Sequence, residues 1–320
     1  MFTHNDKGIP KNKPVLFLAN HQNALLDALL IATNSNRFLY FLTRAGVFKS
    51  KFVSKILKSL LMLPVYRVRD GWANLSNNEA IFKTCGKLFN KNEAIVIFPE
   101  GSHNIKRTVR PLSKGFTRII FETLEQYPNT DLQLIPVGLN FINAEKFPDS
   151  AAIFFGAAIP AKSFITGNKK EDVVALRTKI QSEISKLTTH IPSDKYEETL
   201  NKLYSLKVDF LNPKSVNKAI ASNYSFYEGV TKNHVSGINH LFKAFLKLLL
   251  IGPYIIWKLM VRPKIKEIEF ISTFRFAMAI TLIPIWIVFI VLTLAFSVSS
   301  FAGLLYLVFV LGAALLAVKI

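Results

Sequence analysis

The sequence predicts an α/β domain, a mixed central sheet flanked by helices, followed by a C-terminal transmembrane helical hairpin. Three observations carry that expectation. Residues 1–235 alternate short apolar runs with amphipathic stretches, the pattern of strands interleaved with helices. Phe276 to Val318 contains no Asp, Glu, Lys, Arg or His; at about 1.5 Å per residue it exceeds about twice the 30 Å hydrocarbon thickness of a bilayer. Finally, the 320 residues are 50% hydrophobic and only 19% charged, against about 25% charged in an average soluble domain, which excludes a disordered chain.

The strands follow from the apolar runs: Val15 to Ala19, Phe38 to Thr43, Leu60 to Tyr66, Ala94 to Phe98, Leu132 to Leu139 and Ala152 to Phe155. Most are apolar on both faces, which places them centrally in the sheet. Between them, 24–33, 47–59, 73–90 and 113–126 read as helices, with Ser113 as the expected N-cap of the last and Tyr127-Pro128 as its stop. Two further helices are expected over 169–187 and 193–206, the second capped by Ser193 with Asp194 in its first turn.

The charge-free stretch is most polar at Ser297-Val298-Ser299-Ser300, where a hairpin turn would separate spans near 276–296 and 301–318, the first kinked at Pro284. Lys258, Arg262, Lys264, Lys266 and Arg275 precede the hairpin and Lys319 follows it, so the positive-inside rule puts both ends and the N-terminal domain in the cytoplasm. Upstream, Leu241 to Met260 is apolar but carries Lys243, Lys247 and Lys258 and is interrupted at Gly252-Pro253, the pattern of an interfacial amphipathic helix. The expected organisation is thus an α/β domain over 1–235, an interfacial helix and basic linker over 236–275, and the hairpin over 276–320.

Lys and Arg number 40 against 21 Asp and Glu, a net charge of +19. Such a charge attracts an anionic membrane face, phosphorylated small molecules or nucleic acid. No zinc-ligand spacing, ribonucleoprotein aromatic motif or basic heptad supports nucleic acid. Cys85 is the single cysteine, which excludes an internal disulfide framework and a cysteine-rich zinc site. The first twenty residues lack the apolar core and cleavage site of a signal peptide. No His/Asp/Glu cluster has ligand spacing along the chain, so no metal is expected.

Three polar clusters follow directly on predicted strands, where open α/β sheets place their sites. The first is Asn20-His21-Gln22-Asn23 with Asp27 beyond it. Histidine is suited to general base catalysis, and a carboxylate on its other ring nitrogen fixes the tautomer and stabilises the imidazolium. Six positions on a regular helix are about 240° apart, so His21 must sit in the turn before the helix if the two are to meet. The second cluster ends a strand in Arg67 and Arg69, either a phosphate-binding fork or a surface ion pair with Asp70. The third, Phe98-Pro99-Glu100-Gly101-Ser102-His103, has Lys106, Arg107, Arg110 and Lys114 close behind. Its carboxylate is either neutralised by these cations or positions a hydroxyl while they hold an anion.

In order, Asn-His-Gln followed by Asp27, a strand ending in Arg67, Phe-Pro-Glu-Gly-Ser at 98–102, Pro-Leu-Ser-Lys-Gly-Phe at 111–116 and Ile-Pro-Val at 135–137 resemble the motif set of the glycerophospholipid acyltransferases, which include the lysophosphatidate and glycerol-3-phosphate acyltransferases. The resemblance covers roughly 14–140 and implies that family's fold. It implies transfer of a fatty acyl group from acyl-CoA or acyl carrier protein to a hydroxyl of a glycerol phosphate or lysophospholipid acceptor, without an acyl-enzyme. In that reading His21 is the general base and Asp27 orients it. Arg67, Glu100, Gly101 and Ser102 hold the phosphate-bearing acceptor, and Lys114 is a further candidate. No cofactor is implied beyond the acyl donor. Gln22 to Leu26 separate His21 from Asp27, one residue more than the usual family spacing, a variant similar to a branch containing fungal-type glycerol-3-phosphate acyltransferases. The rival reading is a membrane-associated lipid-binding or scaffold protein in which the altered spacing has abolished catalysis.

Overall fold

The computed structural model describes residues 1–67, 77–147, 149–225 and 237–319. It divides into two compact units, Met1–Ile142 with Ser150–Gly229, and Asn143–Asp149 with Val230–Ile320.

The first unit is built on one mixed sheet. Its strands are β1 Phe2–His4, β2 Val15–Ala19, β3 Leu39–Arg44, β4 Met62–Val65, β5 Ala94–Ile97, β6 Gln133–Phe141, β7 Ala151–Phe155 and β8 Ile159–Pro160. Their spatial order is β1-β7-β6-β2-β5-β3-β4, with β8 paired to β6. β2 to β6 form the parallel part, and β7 and β8 run antiparallel to β6. β2 and β6 are buried along their whole length, as expected of strands covered on both faces: β2 is apolar throughout, and β6 is apolar apart from Gln133 and Asn140.

Helices connect the parallel strands: α1 Ala24–Asn34, α2 Lys51–Ser59, α3 Asn77–Asn90 and α4 Gly115–Gln126. α5 Lys169–Leu187, α6 Tyr196–Ser205 and α7 Pro213–Ala221 follow the sheet. Leu16, Leu18, Phe89, Ile95, Phe116, Ile120, Leu134 and Ile180 share one core between the sheet and α3, α4 and α5. The chain passes from β2 outward to β3 and β4, returns to insert β5 beside β2, and then places β6 on the other side of β2. Connections therefore diverge around β2, and the loops after β2 and β5 meet at a topological switch point, the usual site crevice of such sheets.

Several local expectations change. Ser113 does not cap α4: its backbone N–H goes to the Pro99 carbonyl, and Lys114 takes the cap position without a side-chain bond. Ser193 opens a 3₁₀ turn, Ser193–Lys195, and α6 starts only at Tyr196. The expected helix over 47–59 begins as a 3₁₀ turn, Ala45–Phe48, and becomes α-helical at Lys51. Of the helix expected over 73–90, residues 73–76 lie outside the described residues, as do Arg69 and Asp70.

The second unit is helical: α8 Gly237–Leu249, α9 Ile251–Ile256 with its π and 3₁₀ continuation to Lys264, α10 Ile271–Ile280, α11 Leu282–Ser297 and α12 Ser300–Lys319. Ile268–Ser297 and Ser300–Ala317 are long and apolar enough to cross a membrane. The break between α10 and α11 falls at Thr281, because Pro284 lacks the N–H that the Ile280 carbonyl would take and its ring crowds that carbonyl. At the turn, the Ser299 hydroxyl accepts from the Ala302 N–H at 3.2 Å and caps α12. Asn143–Asp149, the loop between β6 and β7, belongs to this unit: Ser272 donates to the Ala144 carbonyl, and Arg275 to that of Glu145 at 3.1 Å.

Leu241–Leu249 and Ile251–Lys264 meet at a 95° bend, next to the interruption that the sequence shows at Gly252-Pro253. Pro253 explains it, since in a continuous helix the Leu249 carbonyl would accept from residue 253. That carbonyl instead takes the Trp286 indole N–H at 3.2 Å and the Tyr306 hydroxyl at 2.8 Å. Gly252 lets the ring approach: a Cβ there would lie 2.4 Å from the Trp286 ring. The two side chains thus supply the donors that Pro253 removes. Trp286→Phe or Tyr306→Phe alone, each leaving one donor, is expected to cost about 1 kcal/mol. The double substitution leaves none and is expected to cost about 1–3 kcal/mol, read as a lowered midpoint in detergent unfolding of the purified chain.

Candidate active site

His21 lies in the turn between β2 and α1, where the sequence geometry requires it. Its Nδ1 is 2.7 Å from Asp27 Oδ2. The same oxygen accepts the backbone N–H of Gln22 at 2.8 Å and of Asn23 at 2.7 Å. Asp27 is fully buried and sits in the first turn of α1, so its charge is also favoured by the helix N-terminus. Three donors converging on one carboxylate oxygen hold a turn that carries strain: Ala24, the first residue of α1, has φ +41°.

Asn20 anchors the other side of the turn. The β2–β6 pairing ends at Ala19 opposite Val137, and the Asn20 side chain continues it. Its amide donates to the Leu139 carbonyl at 3.0 Å and accepts the Leu139 N–H at 2.7 Å. His21 thus emerges from the end of a fully buried strand with both flanks fixed. Its ring stacks on Phe98 at 4.0 Å and meets the His103 ring edge-on at 5.7 Å. Its carbonyl accepts the Asn104 N–H at 2.8 Å, tying the loop after β2 to the loop after β5.

That second loop turns sharply at Phe98–Gly101, where the Gly101 N–H donates to the Phe98 carbonyl. Gly101 has φ +75°, a conformation that favours glycine. Glu100 is nearly buried, with its side chain 3% exposed, and pairs with Arg110 Nε at 2.7 Å. Burial pushes its carboxyl above the ordinary carboxylate range, opposed by the Arg110 hydrogen bond and charge and by the nearby His21. Arg110 also donates to the Ser102 hydroxyl at 2.9 Å and to the Ser102 carbonyl. One guanidinium therefore organises the whole Glu100-Gly101-Ser102 turn.

The other cations are allotted differently. Arg107 is buried, donating to the carbonyls of Phe141 and Ile142 at 2.8 Å each, with the Phe210 ring 3.8 Å away. Lys106 lies over the Tyr196 ring. The stretch 107–109 is strapped to the chain after α5. The Ile191 N–H donates to the Arg107 carbonyl, the Thr108 hydroxyl to that of Ile191, and the Val109 N–H to His190 Nδ1 at 3.0 Å. Burial lowers the His190 pKa, which favours the neutral ring this bond needs.

The structure thus brings His21, Asp27, Glu100, Gly101 and Ser102 to one crevice. Arg67 follows β4 on the same sheet edge, three strands along from β2, or roughly 14 Å at the usual strand spacing. Lys114 is exposed, and its side chain makes no hydrogen bond or ion pair among the described residues. Arg110 and Asn20 are the residues that the sequence reading left without a role. Arg110 was one of four cations behind Glu100, and nothing in the spacing distinguishes it from Lys106, Arg107 or Lys114.

An imidazole oriented by a buried carboxylate, beside a turn held by arginine, is an arrangement chemically able to accept a proton from a hydroxyl. The Acyltransferase family model matches residues 1–140. The chain is similar to an uncharacterized acyltransferase of Schizosaccharomyces pombe, 26% identical over 151 residues, covering 43% of this chain and 22% of that protein. It is also similar to glycerol-3-phosphate O-acyltransferase 1 of Saccharomyces cerevisiae, 24% identical over 156 residues, covering 44% of this chain and 20% of that protein. The chain therefore spans about a fifth of the length of these curated relatives. Among solved structures it resembles the 1-acyl-sn-glycerophosphate acyltransferase PlsC of Thermotoga maritima, with 17% identity and a TM-score of 0.40 over 57% of this chain and 70% of that one.

Arg110→Gln leaves Glu100 buried without its cation, expected to cost about 3–5 kcal/mol at neutral pH. The sign with pH follows from the raised Glu100 carboxyl. The folded state of the variant binds that proton more tightly than the unfolded chain, so acid restores part of the lost stability. Thermal unfolding of wild type and variant at pH 7 and pH 5 should show the gap narrowing at the lower pH.

Proposed function

We propose that this chain is a membrane-anchored O-acyltransferase that moves a fatty acyl group from a thioester, acyl-CoA or acyl carrier protein, to the hydroxyl of a glycerol phosphate or lysophospholipid. The observation that carries the reading is the His21–Asp27 pair at the switch point of the sheet, within the stretch that matches the acyltransferase family model. That match and the similarity to the yeast glycerol-3-phosphate O-acyltransferase favour a glycerol phosphate acceptor.

In the proposed mechanism Asp27 keeps the Nδ1–H of His21 directed at itself, leaving Nε2 as the acceptor of the substrate proton. His21 takes the proton from the acceptor hydroxyl as its oxygen forms a bond to the thioester carbonyl carbon. The imidazolium that results is stabilised by Asp27. The tetrahedral intermediate collapses with cleavage of the C–S bond, and the departing thiolate takes the proton back from His21. No acyl-enzyme and no metal enter this scheme. Arg67 supplies a bidentate fork for the acceptor phosphate. Glu100 holds Arg110, which in turn presents the Gly101-Ser102 turn, and Lys114 adds positive charge at the start of α4. In this reading the two candidate spans keep the domain beside a poorly soluble acceptor, and the basic segments next to them favour a cytoplasmic orientation.

Proteoliposomes carrying the full chain, offered labelled acyl-CoA or acyl carrier protein with glycerol-3-phosphate or lysophosphatidate, should transfer label to one acceptor. His21→Ala should lower turnover by about 10²–10⁴-fold, the usual contribution of a general base, while acceptor binding persists. Absence of transfer by folded wild type to every acceptor, or an active His21→Ala, would sink the reading.

A further inference from the structure

α2 inverts the usual logic of a globular helix, which turns its apolar stripe inward. Phe52, Ile56 and Leu60 recur every fourth position along one face, with Val53 beside them. They are 75%, 43%, 56% and, for Val53, 39% exposed, and no residue of α2 is buried. Val47, in the 3₁₀ turn before the helix, is 45% exposed. Lys49, Lys51, Lys55 and Lys58 are interleaved with this stripe, and no Asp or Glu occurs between Arg44 and Arg69. A lone exposed apolar side chain needs no explanation, but five on one short crossover form a patch that does.

We propose that this crossover, Val47 to Leu60, is a bilayer-docking surface of the first unit, specific for anionic lipid. Two observations select that occupant over a protein partner. The lysines alternate with the apolar residues on an amphipathic helix, the pattern that buries Phe, Ile and Leu at the acyl boundary while ammonium groups reach the phosphates. The same chain also carries two helices able to cross a membrane, which would hold the first unit beside a bilayer at high effective concentration. The placement has a consequence for the site. The crossover starts at the C-terminal end of β3, and β2, β3 and β5 are parallel, so it leaves the sheet at the edge that carries His21 and Glu100. Docking would bring that edge to the headgroup level, where a lipid acceptor presents its hydroxyl. The surface needs the chain's membrane anchoring and not the transfer reaction, so its test is independent of activity.

The test is a fluorescent label on the full chain. Cys85 is buried, with its thiol pushed up to about 12, so an NBD maleimide at neutral pH selects an introduced cysteine. Ile56→Cys and Phe52→Cys place the label on the stripe, and Lys170→Cys on α5 is the exposed control. In vesicles of equimolar phosphatidylcholine and phosphatidylglycerol, the stripe labels should emit to the blue of the control and be quenched by doxyl-labelled lipid, while the control stays unquenched. Changing Lys49, Lys51, Lys55 and Lys58 together to Glu should abolish the quenching, as should vesicles of phosphatidylcholine alone. Unquenched stripe labels in anionic vesicles would overturn the proposal. So would a blue shift without quenching, which would mean that protein covers the stripe, or equal quenching in neutral vesicles, which would mean that the lysines do not select anionic lipid.

Discussion

Everything the candidate site does depends on one buried oxygen. Asp27 Oδ2 receives the His21 ring and the N–H groups of Gln22 and Asn23, and by doing so converts the end of β2 into a fixed turn. A fully buried carboxylate is costly unless it is hydrogen-bonded, and charge-assisted bonds are the strong ones. The same bonds offset the left-handed backbone at Ala24, absorb the additional residue between His21 and Asp27, and orient the imidazole. A longer spacing is therefore compatible with a His–Asp contact, because the extra residue is taken up in the turn rather than in the helix.

Around that oxygen the first unit is stabilised by side chains that stand in for backbone. Asn20 extends the β2–β6 ladder beyond its last paired residue. Asn140 accepts the Thr189 N–H and donates to the Leu187 carbonyl, joining β6 to the end of α5. Arg110 closes the Glu100-Gly101-Ser102 turn, and the 107–109 strap fixes the segment from which Arg110 projects. These contacts tie the loops of the switch point to the sheet and to the chain after α5, where loops are ordinarily mobile.

The second unit solves a different form of the same problem. Proline at 253 removes a helical donor, and the orphaned Leu249 carbonyl is met by Trp286 and Tyr306 from α11 and α12. The 95° bend is thus braced by two polar contacts within an otherwise apolar helical unit.

The amino-acid sequence by itself determined the α/β class, the strands from β2 to β7, the hairpin and the His21-to-Asp27 pairing, because each rests on local signals: apolar runs, charge-free length and motif order. The need for His21 to lie before the helix also followed from helical geometry alone. Only the tertiary structure decided which of four cations holds Glu100, since Lys106, Arg107, Arg110 and Lys114 are equivalent in sequence and differ in what folds against them. It likewise decided the failed caps at Ser113 and Ser193, where a long-range backbone bond to Pro99 and a 3₁₀ turn displaced the local preference. The role of Asn20 and the donors that meet the Leu249 carbonyl depend on partners 119 and up to 57 residues away. The exposed stripe of α2 belongs with them, because periodicity shows that a helix is amphipathic but only packing shows which face is left uncovered.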